Sequence, residues 1–158
     1  MIENNVSKST IAPVEKRAHV KLSVGEAFKL FTEGIHTWWP LDADHSVGEE
    51  NAETCAIEPK VGGRVYEILK DGSESIWGTV QAYEPPHLFA TTWHPGNPSD
   101  LATYLEVRFT ASGEGTIVEL THSGWEARGA DAQNYRDGYD SGWDFVFGRY
   151  LNKATSKN

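Results

Sequence analysis

The stretch that decides the fold reads VGGRVYEILKDGSESIWGTVQAYEPPHLFATTWHPG over residues 61–96 and LATYLEVRFTASGEGTIVELTHSGW over residues 101–125. Apolar and polar residues alternate there between turns that contain Gly or Pro, which is typical of consecutive antiparallel strands. One face of such a sheet stays in contact with water unless a helix covers it. The sequence predicts that helix directly afterwards, over residues 131–152.

Sequence patterns before residue 61 predict further helices and strands. Ser23 and Glu26 form an S-x-x-E capping box, which predicts a short amphipathic helix over residues 24–34. Alternation and turn residues predict seven strands, at residues 14–22, 54–58, 63–70, 75–83, 88–93, 103–110 and 116–123. The chain is therefore predicted to be an α+β protein, with a seven-stranded antiparallel sheet wrapped around a long C-terminal helix and short helices after the first strand. We expect residues 11–153 to form a single domain and residues 1–10 a flexible tail.

Composition excludes several classes of function. The net charge is −9, with 39% hydrophobic and 23% charged residues, which is ordinary for a globular protein and argues against nucleic-acid binding. No apolar stretch approaches the roughly 18 residues that a membrane span requires, so we expect no membrane contact and a cytoplasmic location. The single cysteine, Cys55, lies in an apolar run and is predicted to be an inert strand residue.

Motifs for metals, cofactors and catalysis are not recognisable. The six histidines form no H-x-H or H-x-x-x-H pair, and the lone cysteine has no C-x-x-C partner, so no metal site is predicted. Gly62-Gly63 is followed neither by a helix signal nor by Lys-Ser/Thr, which argues against a phosphate-binding loop. We therefore expect no cofactor, and an enzyme is not the favoured interpretation.

Strand alternation predicts which side chains face the covering helix. Leu120 and His122 share one face of the last strand, and Val107 lies on the apolar face of its neighbour, so these side chains should point inward. A histidine at the inner end of this row can donate to a ligand oxygen or act as a general base near neutral pH. The favoured interpretation is instead a structural histidine at a strand end, whose ring is satisfied by a backbone carbonyl.

Glu67 is a second polar candidate, because it shares a strand face with Val65. If that face points inward, Glu67 is a partly buried carboxylate with a raised pKa, suited to act as an acid or a ligand anchor. A register shifted by one residue makes it a solvated surface group instead, and this surface interpretation is favoured.

Aromatic residues supply the remaining candidates for a ligand site, because they offer flat apolar walls. For any one tryptophan a place in the core is the favoured interpretation, although several are expected to touch a cavity. The aromatic candidates are Trp38, Trp39, Trp77, Trp93, Tyr139 and Trp143. The terminal helix also contains Gly138, Gly142 and Gly148, which cost helix stability. Close approach of the helix backbone to the sheet is the favoured reason, with space for a ligand as the alternative.

Several short motifs occur in the order seen in one known family. They are Gly62-Gly63, Asp71-Gly72, Gly78-Thr79-Val80, Glu84-Pro85-Pro86, Leu88–Trp93 and Thr121–Trp125. Together with Trp38-Trp39 after the first helix, they resemble the family named after the activator of Hsp90 ATPase, within the Bet v 1-like or START-like (SRPBCC) superfamily. The resemblance covers most of the chain and implies a helix-grip fold, in which the sheet grips the C-terminal helix over a cavity.

Three hypotheses of function follow from the resemblance and the aromatic pattern. The leading one is binding of a small hydrophobic or aromatic molecule between the sheet and the C-terminal helix. A cyclase, dehydratase or hydrolase of the same superfamily would need His122 or Glu67 inside the cavity. A stress-linked co-chaperone role rests on the family name, and direct Hsp90 contact is not expected because the additional N-terminal domain of the eukaryotic co-chaperone is not seen. The sequence does not decide whether the protein forms a homodimer.

Overall fold

The computed structural model describes residues 11–43 and 45–155. The predicted tail at residues 1–10 lies outside them. The described strands are β1 (Val14–Val20), β2 (Ala52–Ile57), β3 (Arg64–Leu69), β4 (Glu74–Glu84), β5 (Leu88–Trp93), β6 (Thr103–Ser112) and β7 (Gly115–Ser123). The α-helices are α1 (Val24–Thr32) and α2 (Ala132–Thr155). Short 3₁₀ segments lie between them, at Ile35–Thr37, Leu41–Ala43, Glu49–Asn51, Ser99–Leu101 and Trp125–Asp131.

The seven strands form one antiparallel sheet in the order β1-β7-β6-β5-β4-β3-β2. The register shifts within the β2–β3, β3–β4 and β4–β5 pairs, and such bulges bend a sheet and increase its twist. The sheet therefore curls around α2, and the predicted α+β helix-grip fold is confirmed. The capping box before α1 is confirmed as well, because the Ser23 hydroxyl accepts from the Glu26 backbone and the Glu26 carboxyl accepts from the Ser23 backbone.

The inner face of the sheet carries the residues that alternation predicted. Leu105 lies opposite His122 and Val107 lies opposite Leu120, and all four side chains are buried. Their burial follows from the two-residue period of a strand, which sends every second side chain to the same side.

Glu67 also lies on the inner face, so the favoured surface interpretation is wrong. Val65 and Glu67 are both buried, because β3 pairs in the register that turns these alternate residues towards the core. Cys55 lies opposite Glu67 in β2. Burial, together with the charge of Glu67, raises the pKa of the Cys55 thiol to about 12. The thiol is therefore protonated near neutral pH, which agrees with an inert residue.

Polar contacts fix α2 against the elements that surround it. Lys16 of β1 forms ion pairs with Asp140 at 2.6 Å and with Asp144 at 2.7 Å. Further along the helix, the Tyr150 hydroxyl donates to the Ala27 carbonyl of α1 at 2.9 Å. These contacts hold one face of α2 over the interior of the curled sheet.

Candidate functional site

A cavity of about 570 Å³ lies between α2, the sheet and the loop that precedes β2. Its wall combines four indole rings with residues 45–47 of that loop, Pro95-Gly96 after β5 and the N-terminal half of α2. The indoles belong to Trp39, Trp77, Trp93 and Trp143. The volume lies in the range of small-molecule sites, and an aromatic wall is typical of them.

The indole N–H groups of this wall are largely engaged within the protein. Trp39 Nε1 donates to a carbonyl of the 45–47 loop at 2.7 Å. Trp77 Nε1 donates to Glu67 Oε1 at 2.8 Å, and Trp143 Nε1 donates to His122 Nδ1 at 2.9 Å. These three tryptophans therefore offer the cavity their carbon faces, which bind by stacking and apolar contact.

Glu67 holds the loop that closes one side of the cavity. Its Oε1 accepts from the Val47 backbone N–H at 2.7 Å and from the Trp77 indole, while its Oε2 accepts from the Gly48 N–H at 2.8 Å. Three donors thus satisfy a fully buried carboxyl group. Glu67 does not line the cavity, but it positions Val47 and Trp77, which do.

His122 is enclosed in the core and does not line the cavity either. An indole N–H can only donate, so His122 Nδ1 accepts from Trp143 and the ring proton belongs on Nε2. Nε2 then donates to the Thr103 hydroxyl at 2.6 Å, and that hydroxyl donates to the Trp93 carbonyl at 3.1 Å. The ring is therefore satisfied by side chains, and it joins two tryptophans of the cavity wall.

Burial, together with the positive charge of Arg128, lowers the pKa of His122 to about 3. The ordinary value of 6.5 applies to the unfolded chain, which therefore takes up a proton below pH 6.5 that the folded chain does not. The resulting stability is complete above pH 6.5 and is lost as the pH falls towards 3. A neutral, enclosed histidine of this kind does not serve as a general base at the cavity.

When the pH falls from 7.5 to 5, protonation of His122 in the unfolded chain should reduce the free energy of unfolding by about 2 kcal/mol. Urea unfolding of the wild type and of His122→Gln at both pH values checks this, since glutamine cannot titrate. The variant should be less stable at pH 7.5 but should lose less stability on acidification. Equal losses in the two proteins would show that the folded state protonates His122.

The structure brings half of the ten predicted site residues to the cavity wall. Those in the wall are Trp39, Trp77, Trp93, Tyr139 and Trp143. The others are buried and do not line this cavity, so a ligand role for them stays a prediction: Trp38, Glu67, Val107, Leu120 and His122. Alternation identifies the inner face of a strand, but it does not tell which part of that face stays uncovered.

The glycines of α2 have open space beside them, so the close-packing interpretation is wrong. Beyond the helix's own backbone, a Cβ added at Gly138 would meet no atom of the described residues within 4 Å, and one added at Gly142 would meet only His45 Cε1 at 3.9 Å. Both glycines line the cavity. Gly148 also has no neighbour within 4 Å, but it lies outside the cavity wall.

Sequence reasoning missed the 45–47 loop and Tyr135 as parts of the wall. No periodicity marks the loop, because long-range hydrogen bonds to Glu67 determine its path. Tyr135 had a usable signal, since it lies one helical turn before Tyr139 on the same stripe of α2. Within residues 11–43 and 45–155, no helix is long and apolar enough to cross a membrane, and no group of three acidic, His or Cys side chains forms a metal site.

Comparison with known proteins places most of this chain in one sequence family. The sequence profile of a family described as "Activator of Hsp90 ATPase homolog 1-like protein" matches residues 21–153. A search of curated proteins returned no match.

Three solved structures illustrate the likeness. An anthrahydroquino-gamma-pyrone synthase, Txn09, is 34% identical, with 90% of this chain and 96% of that chain covered and a TM-score of 0.60. The Aha1 dimer from Colwellia psychrerythraea is 14% identical, with coverages of 91% and 96% and a TM-score of 0.65. CalU16 from Micromonospora echinospora is 18% identical, with coverages of 91% and 76% and a TM-score of 0.61. The last two show the fold alone.

Proposed function

Because this chain belongs to the activator of Hsp90 ATPase homolog 1-like family, we propose that its cavity binds a small planar aromatic molecule. The observation that carries the proposal is the wall of four indoles around a space of about 570 Å³. With three of the four N–H groups engaged elsewhere, the wall offers flat carbon surfaces on which fused rings stack. The name of the 34% identical synthase supports the same class of ligand.

Intrinsic tryptophan fluorescence tests this proposal, because the wall contains four of the six tryptophans of the chain. Anthraquinone-2-carboxamide serves as a planar tricyclic probe, and palmitate serves as an apolar probe without rings. We expect saturable quenching by the tricycle and a much weaker response to palmitate. A linear, non-saturating response to the tricycle would overturn the proposal.

A second candidate is an enzyme that closes an oxygen-containing ring, favoured by the 34% identity to a gamma-pyrone synthase over nearly the whole chain. Neither His122 nor Glu67 lines the cavity, so this candidate is argued without them. The polar groups that remain at the wall include the Tyr139 hydroxyl, which can hydrogen-bond a carbonyl or enol oxygen of a bound substrate.

A model ring closure tests this second candidate. In 1-(2-hydroxyphenyl)-3-phenylpropane-1,3-dione, the phenol oxygen adds to the distal ketone, water leaves, and a gamma-pyrone ring forms. We expect the protein to accelerate formation of this product over buffer, and Tyr139→Phe to slow it at least tenfold. A rate equal to that in buffer alone would show that the protein does not catalyse this ring closure.

Self-association and Hsp90 contact stay predictions. Light scattering on the purified protein determines whether it forms a homodimer, and a pull-down with a bacterial Hsp90 tests the contact that we do not expect.

A further inference from the structure

Arg128 is a buried cation whose side chain is only partly satisfied. It lies in the 3₁₀ segment Trp125–Asp131 between β7 and α2, and it is only 8% exposed. Its Nε and Nη1 atoms are enclosed and meet no hydrogen-bond acceptor in the part of the chain that the structure describes. Leaving a buried charge unpaired is strongly unfavourable, so this arginine calls for an explanation beyond packing.

The acidic residues nearest in sequence on α2 are engaged with other cations. Asp140 pairs with Lys16, and both Asp137 and Asp140 pair with Arg136. Among residues 11–43 and 45–155, no ion pair includes Arg128. The positive charge therefore has no counter-ion within the described chain.

Two tyrosines of the cavity wall contact or neighbour this charge. The guanidinium carbon lies 4.3 Å from the centre of the Tyr135 ring. Burial raises the pKa of Tyr139, whereas the nearby charge of Arg128 and hydrogen bonds with the Trp93 and Arg128 side chains oppose that rise. Tyr135 and Tyr139 both line the cavity, so the charge lies just behind its wall.

The contact with Tyr135 is too weak to explain why Arg128 is buried. The Tyr135 ring is 41% exposed, and a cation–π contact with an exposed ring is weak compared with the cost of burying a charge. The contact with Tyr135 therefore does not account for the buried arginine by itself. An exposed ring can also turn without disturbing the core, which would open the guanidinium to the cavity.

We propose that the ligand of this cavity carries an anionic oxygen, such as an ionised phenol, an enolate or a carboxylate, and that Arg128 pairs with it. The inference rests on the proposed binding of a planar aromatic molecule and adds the acidic group to it. A guanidinium in a dry site binds an oxyanion through charge-assisted hydrogen bonds, and the Tyr139 hydroxyl supplies a second donor. The indole wall and Arg128 then recognise two parts of one ligand, its ring system and its acidic oxygen.

A matched pair of probes tests this inference: anthraquinone-2-carboxylate and its neutral counterpart, anthraquinone-2-carboxamide. We expect the wild type to bind the carboxylate at least tenfold more tightly at pH 7.5. Arg128→Met should reduce this preference to less than twofold, chiefly by weakening the binding of the carboxylate. Arg108→Met is the matched control, because Arg108 is exposed and pairs with Glu106 on the surface, and it should keep the full preference.

The melting temperature without ligand separates a binding role from a structural one. Removing an unpaired buried charge should leave the melting temperature of Arg128→Met unchanged or raise it by about 3 °C. Arg128→Gln, which keeps a polar group, is the second variant if the methionine protein does not fold, and the same loss of preference is expected.

The outcomes distinguish this inference from the function on which it rests. Equal affinity of the wild type for both probes, or a preference that survives Arg128→Met or Arg128→Gln, would overturn the role of Arg128 and leave aromatic binding intact. No binding of either probe to the wild type would overturn both.

Discussion

Replacing Glu67 with alanine should lower the free energy of unfolding by about 3–5 kcal/mol. The carboxyl group accepts hydrogen bonds from the Val47 and Gly48 backbones and from the Trp77 indole, and it is fully buried. Alanine would leave three buried N–H groups without an acceptor, each of which retains a desolvation cost. Urea unfolding followed by far-UV circular dichroism measures the loss.

Two further variants show whether the hydrogen bonds are the cause. Glu67→Gln should have an intermediate effect, since its amide oxygen can retain the donors at Oε1 but its amino group would face the Gly48 N–H. Glu119→Ala removes an exposed carboxylate that pairs with Arg17 and should change stability by less than about 1 kcal/mol. If Glu67→Ala matched this control, the loop at 45–48 would not depend on Glu67.

Replacing Gly142 with leucine should weaken binding of anthraquinone-2-carboxamide about 100-fold or more, because the new side chain would occupy the cavity. Gly142 lines the cavity, and among the described residues outside the helix backbone the nearest atom to a Cβ added there is His45 Cε1 at 3.9 Å. The same change should stabilise the protein by about 0.5–1 kcal/mol, since glycine is unfavourable within a helix. Fluorescence titration and urea unfolding measure the two effects.

Gly148→Leu is the matched control for this experiment. It lies in the same helix and has no neighbour within 4 Å, but it is outside the cavity wall. It should bring a similar gain in stability with no change in affinity. Retention of wild-type affinity by Gly142→Leu would place the ligand elsewhere.

The inner face of the sheet could be predicted from the sequence, whereas the site could be predicted only in part. Leu120 and His122 were expected to point inward, and both are buried on that face. The cavity nevertheless lies away from them, because Trp143 and Tyr139 of α2 pack onto His122. Which inward residues a helix covers depends on where its long side chains reach, and no local pattern records that.

Polar partners in the core could not be predicted for a related reason. Glu67 accepts from residues about 20 positions before it and 10 positions after it, and its favoured interpretation from sequence was a surface group. Arg128 had been given no role, since its interest lies in the absence of a partner for its Nε and Nη1. Both features depend on which atoms share a buried volume, and a linear pattern carries no information about that.

By itself the sequence determined the strand ladder from residue 61 to 125, the capped helix after Ser23 and the long helix over the sheet, because these elements follow from spacing within a few residues. Only the tertiary structure decided that Trp39, Trp77, Trp93 and Trp143 form one wall and that Gly138 faces open space. A cavity is a volume that packing leaves unfilled, and it exists only once distant segments have taken their positions.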